Sequence, residues 1–186
     1  MEIYLLALAW AVYFFIHSFL AANGSKNWLA RKLPTSFKYY RIAYNFIALS
    51  GSLPLIFWSI SSSIRLLESV WPLGIILTTL GSCLLIQAFR MFDGAEFIGL
   101  KEETKPRLIQ SGMYRHVRHP LYFAMIVLIL GLFLLLPTQK MLLTLVMSYL
   151  YIGLGHRIEE KKLIGIFGEE YRDYQQRVKA LIPYLY

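Results

Sequence analysis

The sequence predicts an all-α integral membrane protein, with about five transmembrane helices followed by a cytoplasmic C-terminal helical tail. Three observations carry that prediction. Hydrophobic residues make up 57% of the 186 positions and the mean hydropathy is +0.51, values a water-soluble domain rarely reaches. Five apolar runs, at about 3–22, 42–62, 71–89, 121–136 and 141–155, are separated by polar connections. Basic residues crowd into alternate connections, as in a chain that crosses a bilayer repeatedly. The length suits one domain over residues 1–186.

The first run lacks a basic leader segment, has a long apolar core and is followed by a basic loop, so it reads as a retained span and not a cleaved signal. His17 and Ser18 lie near its end. They read as polar groups bonded to another helix or, alternatively, as ligand-binding or proton-handling groups, since ionisable residues inside a span are costly. A polar loop over 23–41 leads to the second span, where Tyr44 and Asn45 sit one turn in and Pro54 predicts a kink. The third span starts near Trp71-Pro72, and Gly74, Gly81 and Ser82 permit close helix approach. Cys83 is the single cysteine, so no internal disulfide or CxxC site exists; it reads as a small buried hydrophobe.

A long polar connection over 90–118 leads into Gly112-Met113-Tyr114-Arg115-His116-Val117-Arg118-His119-Pro120-Leu121-Tyr122, the stretch around which the chain is organised. Proline suits the first turn of a helix, so the fourth span begins at Pro120. The free N–H groups and positive dipole of that end suit an anion such as a carboxylate. Only Pro137 to Lys140 separates the fourth and fifth spans, which predicts a tight antiparallel hairpin; both are short, and tilt or local thinning accommodates them. The tail over 156–186 reads as a helix broken near Gly168 and a second helix to about Lys179. Leu163, Phe167, Tyr171, Tyr174 and Val178 make one apolar face, so the tail is docked.

The net charge of +8 is read as positive-inside charge beside membrane lipid, not as a nucleic-acid surface. Seventeen basic residues fall in the first loop, the third connection and the tail, against two, Arg65 and Lys140, on the other side. The N-terminus is therefore expected outside and the tail in the cytoplasm; in a prokaryote the membrane would be the inner one. The hairpin then brings two charged clusters together. Tyr114, Arg118, His119 and Tyr122 form one; His156, Arg157, Glu159 and Glu160 form the other. Such a site could hold a zwitterion, its carboxylate at the helix start and its ammonium on Glu159 or Glu160. The plainer alternative is interfacial anchoring plus a solvated acidic face. HExxH, GxSxG, P-loop and GxGxxG patterns are all missing.

Arg118-His119-Pro120-Leu121-Tyr122, preceded by Gly112 and Tyr114, resembles the RHPxY motif of the isoprenylcysteine carboxyl methyltransferase family, which groups with the phospholipid methyltransferases. The ending Glu159-Glu160, Leu163, Phe167-Gly168-Glu169-Glu170-Tyr171, Tyr174 and Pro183 is similar to the same family's C-terminal pattern. His17-Ser18, Lys26, Arg41 and Tyr44-Asn45 resemble, more weakly, the NnrU-like and methanethiol S-methyltransferase branch. The resemblance implies an S-adenosyl-L-methionine-dependent methyltransferase with no metal. It places cofactor contacts on Pro106, Arg107, Leu108, Ile109, Tyr114, His119, Pro120, Leu121 and Tyr122, and the cofactor-contacting glutamate on Glu159, with Glu160 beside it. Where the prenylcysteine enzymes carry a substrate-side arginine, this chain has Gly155. The nearest arginine is Arg157, with His156 beside it, and these two are the candidate catalytic residues. The acceptor is small or lipophilic: a carboxylate, a thiol or an amine, the last two needing a proton removed by His119, His156 or Tyr122. Two alternatives remain at this point, an NADPH-dependent sterol-reductase-like enzyme and a non-enzymatic haem-binding or accessory protein using His17.

Overall fold

In a computed structural model, residues 1–33, 39–61, 64–91 and 107–185 are described. They form α1 (Glu2–Ala21), α2 (Asn23–Lys32), α3 (Tyr40–Ile60), α4 (Trp71–Arg90), a 3-10 turn (Gly112–Arg115), α5 (Pro120–Leu135), α6 (Gln139–Phe167) and α7 (Glu169–Arg177). Helices α1, α3, α4 and α6 are long and apolar enough to cross a membrane, and α5 is a shorter apolar helix of 16 residues. Their outer faces carry Leu8, Phe15, Phe46, Phe57, Ile76, Leu150 and Leu154, all exposed. Those side chains have nowhere to hide but lipid, and the protein is an integral membrane protein.

Two boundaries differ from expectation. Residues Asn23–Lys32, expected as loop, form α2, which turns directly off the end of α1 at Ala22 and has no side-chain cap at its start. The fifth apolar run and the first tail segment are one helix. Nothing between Gly155 and Phe167 breaks α6: proline is missing there, and Gly153, Gly155 and Gly165 are tolerated inside a helix at a cost of about 1 kcal/mol each. Thr138 caps its start by accepting from the Met141 N–H. It ends at Gly168, whose φ of 58° a side chain would resist. At 29 residues α6 is about 44 Å long, well over the ~30 Å hydrocarbon core, so its charged third emerges from the membrane.

Helices α4 and α5 pack closest. A Cβ on Gly81 would lie 2.5 Å from the Leu128 nitrogen, and one on Gly131 would run into the Thr78 backbone. Here main chain meets main chain, as small residues allow between membrane helices. Helices α1, α3 and α6 make a second group. Its hub is Thr144, bonded to Trp10 Nε1 at 3.0 Å and Ser59 Oγ at 2.6 Å. Both turns at one end of the bundle pair with each other: Gln139 N–H donates to Ile64 and Leu66 N–H to Pro137. The same end holds buried Lys140, 2.8 Å from Glu2 and 2.9 Å from Ser61. The charged stretch and tail lie at the opposite end of α5 and α6.

Candidate active site

The stretch before α5 is held by the end of the chain. Arg118 N–H donates to Lys179 and His119 N–H to Ala180, at 2.8 and 3.0 Å, with Val117 and Lys179 in a parallel bridge. Tyr171 and Tyr174 bury their rings beneath, edge to face, and the Tyr174 hydroxyl donates to the Tyr114 carbonyl at 2.5 Å. Burial pushes the Tyr174 phenol up to about 12, so it stays a donor. Gln110 follows Arg107–Ile109 and bridges Glu170 and Arg177, laying that segment against α7.

Two adjacent glutamates at the emerging end of α6 then take different partners, because neighbours on a helix point about 100° apart. Glu160 is enclosed, its side chain 16% exposed. Arg118 donates to Oε1 from Nε at 2.7 Å and from Nη2 at 2.5 Å; His119 Nε2 approaches the same oxygen at 3.3 Å, and Gln175 donates to Oε2 at 3.1 Å. Arg118 also donates to the Gln175 and Val178 carbonyls. Burial alone would raise the Glu160 carboxyl; the His119 and Arg118 hydrogen bonds and charges outweigh it and hold it at about 2.

Glu159 is the open one, 44% exposed. Tyr122 donates to its Oε2 at 2.8 Å, and His119 Nδ1 lies 3.7 Å from that oxygen. Its Oε1 has no hydrogen bond among the described residues. Glu159 also lies close to Tyr114, whose phenol is raised first by burial and then by that carboxylate. His119 stacks on Tyr122 with ring centroids 5.4 Å apart and meets His156 edge-on at 5.9 Å. His156 is buried, with Nδ1 3.1 Å from the Ile152 carbonyl.

Thus Tyr114, His119, Pro120, Leu121, Tyr122, Glu159, Glu160 and His156 converge on one end of the α5–α6 pair. Arg157 does not join them; it is exposed, two residues round the helix from Gly155, beside Ile126 and Leu181. Pro106 lies outside the described residues. Sequence reasoning missed Gln175 and the main chain of Lys179 and Ala180. No residue type signals a backbone acceptor, and Gln175 looks like any solvated helix position. Among the described residues no group of three His, Cys, Asp or Glu could hold a metal.

Residues 57–170 match the phospholipid methyltransferase family. The chain belongs to that family. Its match to this family covers the central stretch, both glutamates and the whole α5–α6 hairpin. Relatives include the methanethiol S-methyltransferase of Pseudomonas deceptionensis, 31% identical over 185 residues, covering 91% of this chain and 68% of the relative. The methanethiol S-methyltransferase of Mycobacterium tuberculosis is 29% identical over 184 residues, covering 90% and 72%. The protein-S-isoprenylcysteine O-methyltransferase of Mus musculus is 29% identical over 160 residues; the match takes in 78% of this chain and 53% of that enzyme. The protein is a membrane methyltransferase, which sets aside the reductase and haem readings.

Proposed function

We propose that the protein transfers a methyl group from S-adenosyl-L-methionine to a small, uncharged thiol at the cytoplasmic face of the membrane. The observation that carries the donor assignment is the unequal state of the two glutamates. Glu160 has both oxygens taken, whereas Glu159 is half exposed with one oxygen unengaged, fit to receive a ligand ammonium. Tyr122 and Tyr114 stand beside it, and the first turn of α5, opening with Pro120, offers N–H groups to a carboxylate. Arg107–Ile109 would border the rest of the donor.

When bound, a sulfonium supplies an electrophilic methyl group, and its transfer is an in-line displacement that rests mainly on positioning. Positioning here is the task of Glu160, which fixes Arg118 and His119 and through them the start of α5. The thiol assignment has two supports. Gly155 stands where the prenylcysteine enzymes carry a carboxylate-binding arginine, and the bacterial relatives are named for methanethiol. The cytoplasmic placement rests on the distribution of basic residues.

Calorimetric titration of S-adenosyl-L-methionine in nanodiscs tests the donor assignment. Glu159→Gln is expected to raise the Kd roughly ten- to hundredfold, the worth of a charge-assisted hydrogen bond of about 1.5–3 kcal/mol. An unchanged Kd in the folded variant would remove Glu159 from the donor site.

A further inference from the structure

A second polar cluster, partly buried, joins α1, α3 and α6 away from the paired glutamates. His17 of α1 has both ring nitrogens engaged: Nδ1 is 2.7 Å from the Tyr151 hydroxyl on α6, and Nε2 is 2.8 Å from the Tyr44 hydroxyl on α3. Tyr151 is in turn 3.0 Å from Ser18 Oγ. A neutral imidazole has one donor and one acceptor nitrogen. The chain of bonds closes consistently when Tyr44 donates to Nε2, Nδ1–H donates to Tyr151, and Tyr151 donates to Ser18.

His17 and Tyr44 line an open cavity of about 600 Å³ between α1 and α3, a groove whose walls include the exposed Leu5, Leu8, Val12, Ile16 and Ile47. The rest of its wall is apolar, from Leu5 and Val12 to Leu55 and Trp58, with Tyr13 turned to the Ala48 carbonyl. Among the described residues no charged side chain lines it. A carboxylate or ammonium acceptor would enter without a counterion, at a cost of several kcal/mol; a neutral apolar molecule would not.

The His17 end also adjoins the Glu159 site. Tyr151, Gly155 and Glu159 recur every four residues on α6, about 6 Å apart along one face. A Cβ on Gly155 would meet only the Tyr122 hydroxyl, at 3.9 Å, so space is left between the two clusters. Tyr122, which touches Glu159, lies within electrostatic range of both Tyr151 and Tyr44.

We propose that this cavity is the acceptor site, that it takes a small uncharged thiol with its sulfur toward Gly155, and that His17 receives the thiol proton through Tyr44. This rests on the methyltransferase reading above. The S–H bond breaks as its proton moves to the Tyr44 oxygen, and the Tyr44 proton passes to His17 Nε2. The thiol sulfur forms its bond to the methyl carbon as the bond from that carbon to the sulfonium sulfur breaks. The electron pair of that broken bond returns to the sulfonium sulfur, leaving two neutral thioethers and an imidazolium. Among the described residues the groups against the His17 ring are Tyr13 on α1, Tyr44 on α3 and Tyr151 on α6, all neutral hydroxyls.

The full chain in nanodiscs tests this with 1-propanethiol, 3-mercaptopropionate and S-adenosyl-L-methionine. Saturation-transfer NMR without donor, corrected with empty nanodiscs, should detect bound 1-propanethiol but not 3-mercaptopropionate, and Ala9→Phe, which fills the cavity, should abolish the signal. His17→Gln should keep that signal and the donor Kd. Its methylation rate at pH 7 should fall about a hundredfold, the usual worth of a positioned base. The loss should shrink as pH rises toward the thiol's own pKa, which for a simple alkanethiol lies above that of a cysteine side chain. Tyr44→Phe should copy that pH profile. Propanethiol binding that survives Ala9→Phe, saturation confined to lipid acyl chains, or a His17→Gln rate equal to wild type at pH 7 would each overturn the proposal while donor binding stands. A wild-type protein that binds no S-adenosyl-L-methionine would instead remove the donor reading beneath it.

Discussion

Helices α4 and α5 meet glycine to backbone; helices α1 and α3 meet beside an open apolar groove. Both pairs are apolar and both face lipid, so hydrophobicity does not separate them. Side-chain size at the contact does. Gly74, Gly81 and Gly131 remove the spacers between α4 and α5, and dispersion contacts run the length of the pair. Between α1 and α3 Tyr13 lies on Gly51 and donates to the Ala48 carbonyl, Tyr44 bonds His17, and an open apolar groove is left beside these contacts. One pair is closely packed beneath the Arg118–Glu160 lock; the other leaves a groove open.

The sharpest way to break this contrast is to enlarge a residue in each pair. Gly131→Val drives a side chain into the Thr78 main chain, which cannot rotate away. The variant is expected to give no monodisperse folded peak on size exclusion in detergent, a loss beyond the usual 1–3 kcal/mol of overpacking. Gly153→Ala, with nothing within 4 Å of the new Cβ, should elute as wild type.

A medium effect is expected at the hub of the looser group. Thr144→Val leaves the Trp10 indole N–H without its acceptor, and a loss of about 1 kcal/mol is expected, measured by unfolding in mixed micelles. A loss as large as that of Gly131→Val would show that hydrogen bonds, not glycine contacts, set the rigidity. Filling the groove should go the other way: Ala9→Leu is expected to raise the thermal midpoint only slightly, because lipid tails are as apolar as the added carbons and the gain is limited to extra packing contacts.

The smallest effect is with pH. Glu160 is held down at about 2, below its unfolded value near 4.3, so ionised Glu160 stabilises the docked tail at all pH above that unfolded value. Hydrogen exchange of residues 171–180 should be flat from pH 7 to about 4.5 after correction for intrinsic rates, and protection should be lost progressively toward pH 2. Protection already falling between pH 7 and 5 would mean a group other than Glu160 controls docking.

Much of this was legible in the residues. Five apolar helices, the start at Pro120, the break at Gly168 and the apolar face through Tyr171 and Tyr174 follow from periodicity and from proline and glycine chemistry. The meeting of the central stretch with Glu159 and Glu160 followed from charge placement. What stayed hidden depends on the third dimension. Tyr151 looked like one more aromatic in an apolar run, and only the packing of α6 against α1 brings it to His17. The continuity of α6 past Gly155 was masked because a change from apolar to charged residues resembles a boundary, although the helix simply leaves one solvent for another.

The docking of Lys179 and Ala180 against Arg118 and His119 also bears on the order of events at the ribosome. Arg118 and its Val178 partner are 60 residues apart in the chain. The central stretch is therefore translated, and α5 threaded into the bilayer, well before the main chain that holds it exists. Until that later segment arrives, Arg118 waits at the interface with its carbonyl partners missing. The centre is thus completed by the last part of the described chain to be made, and a nascent chain in mid-insertion has no assembled site.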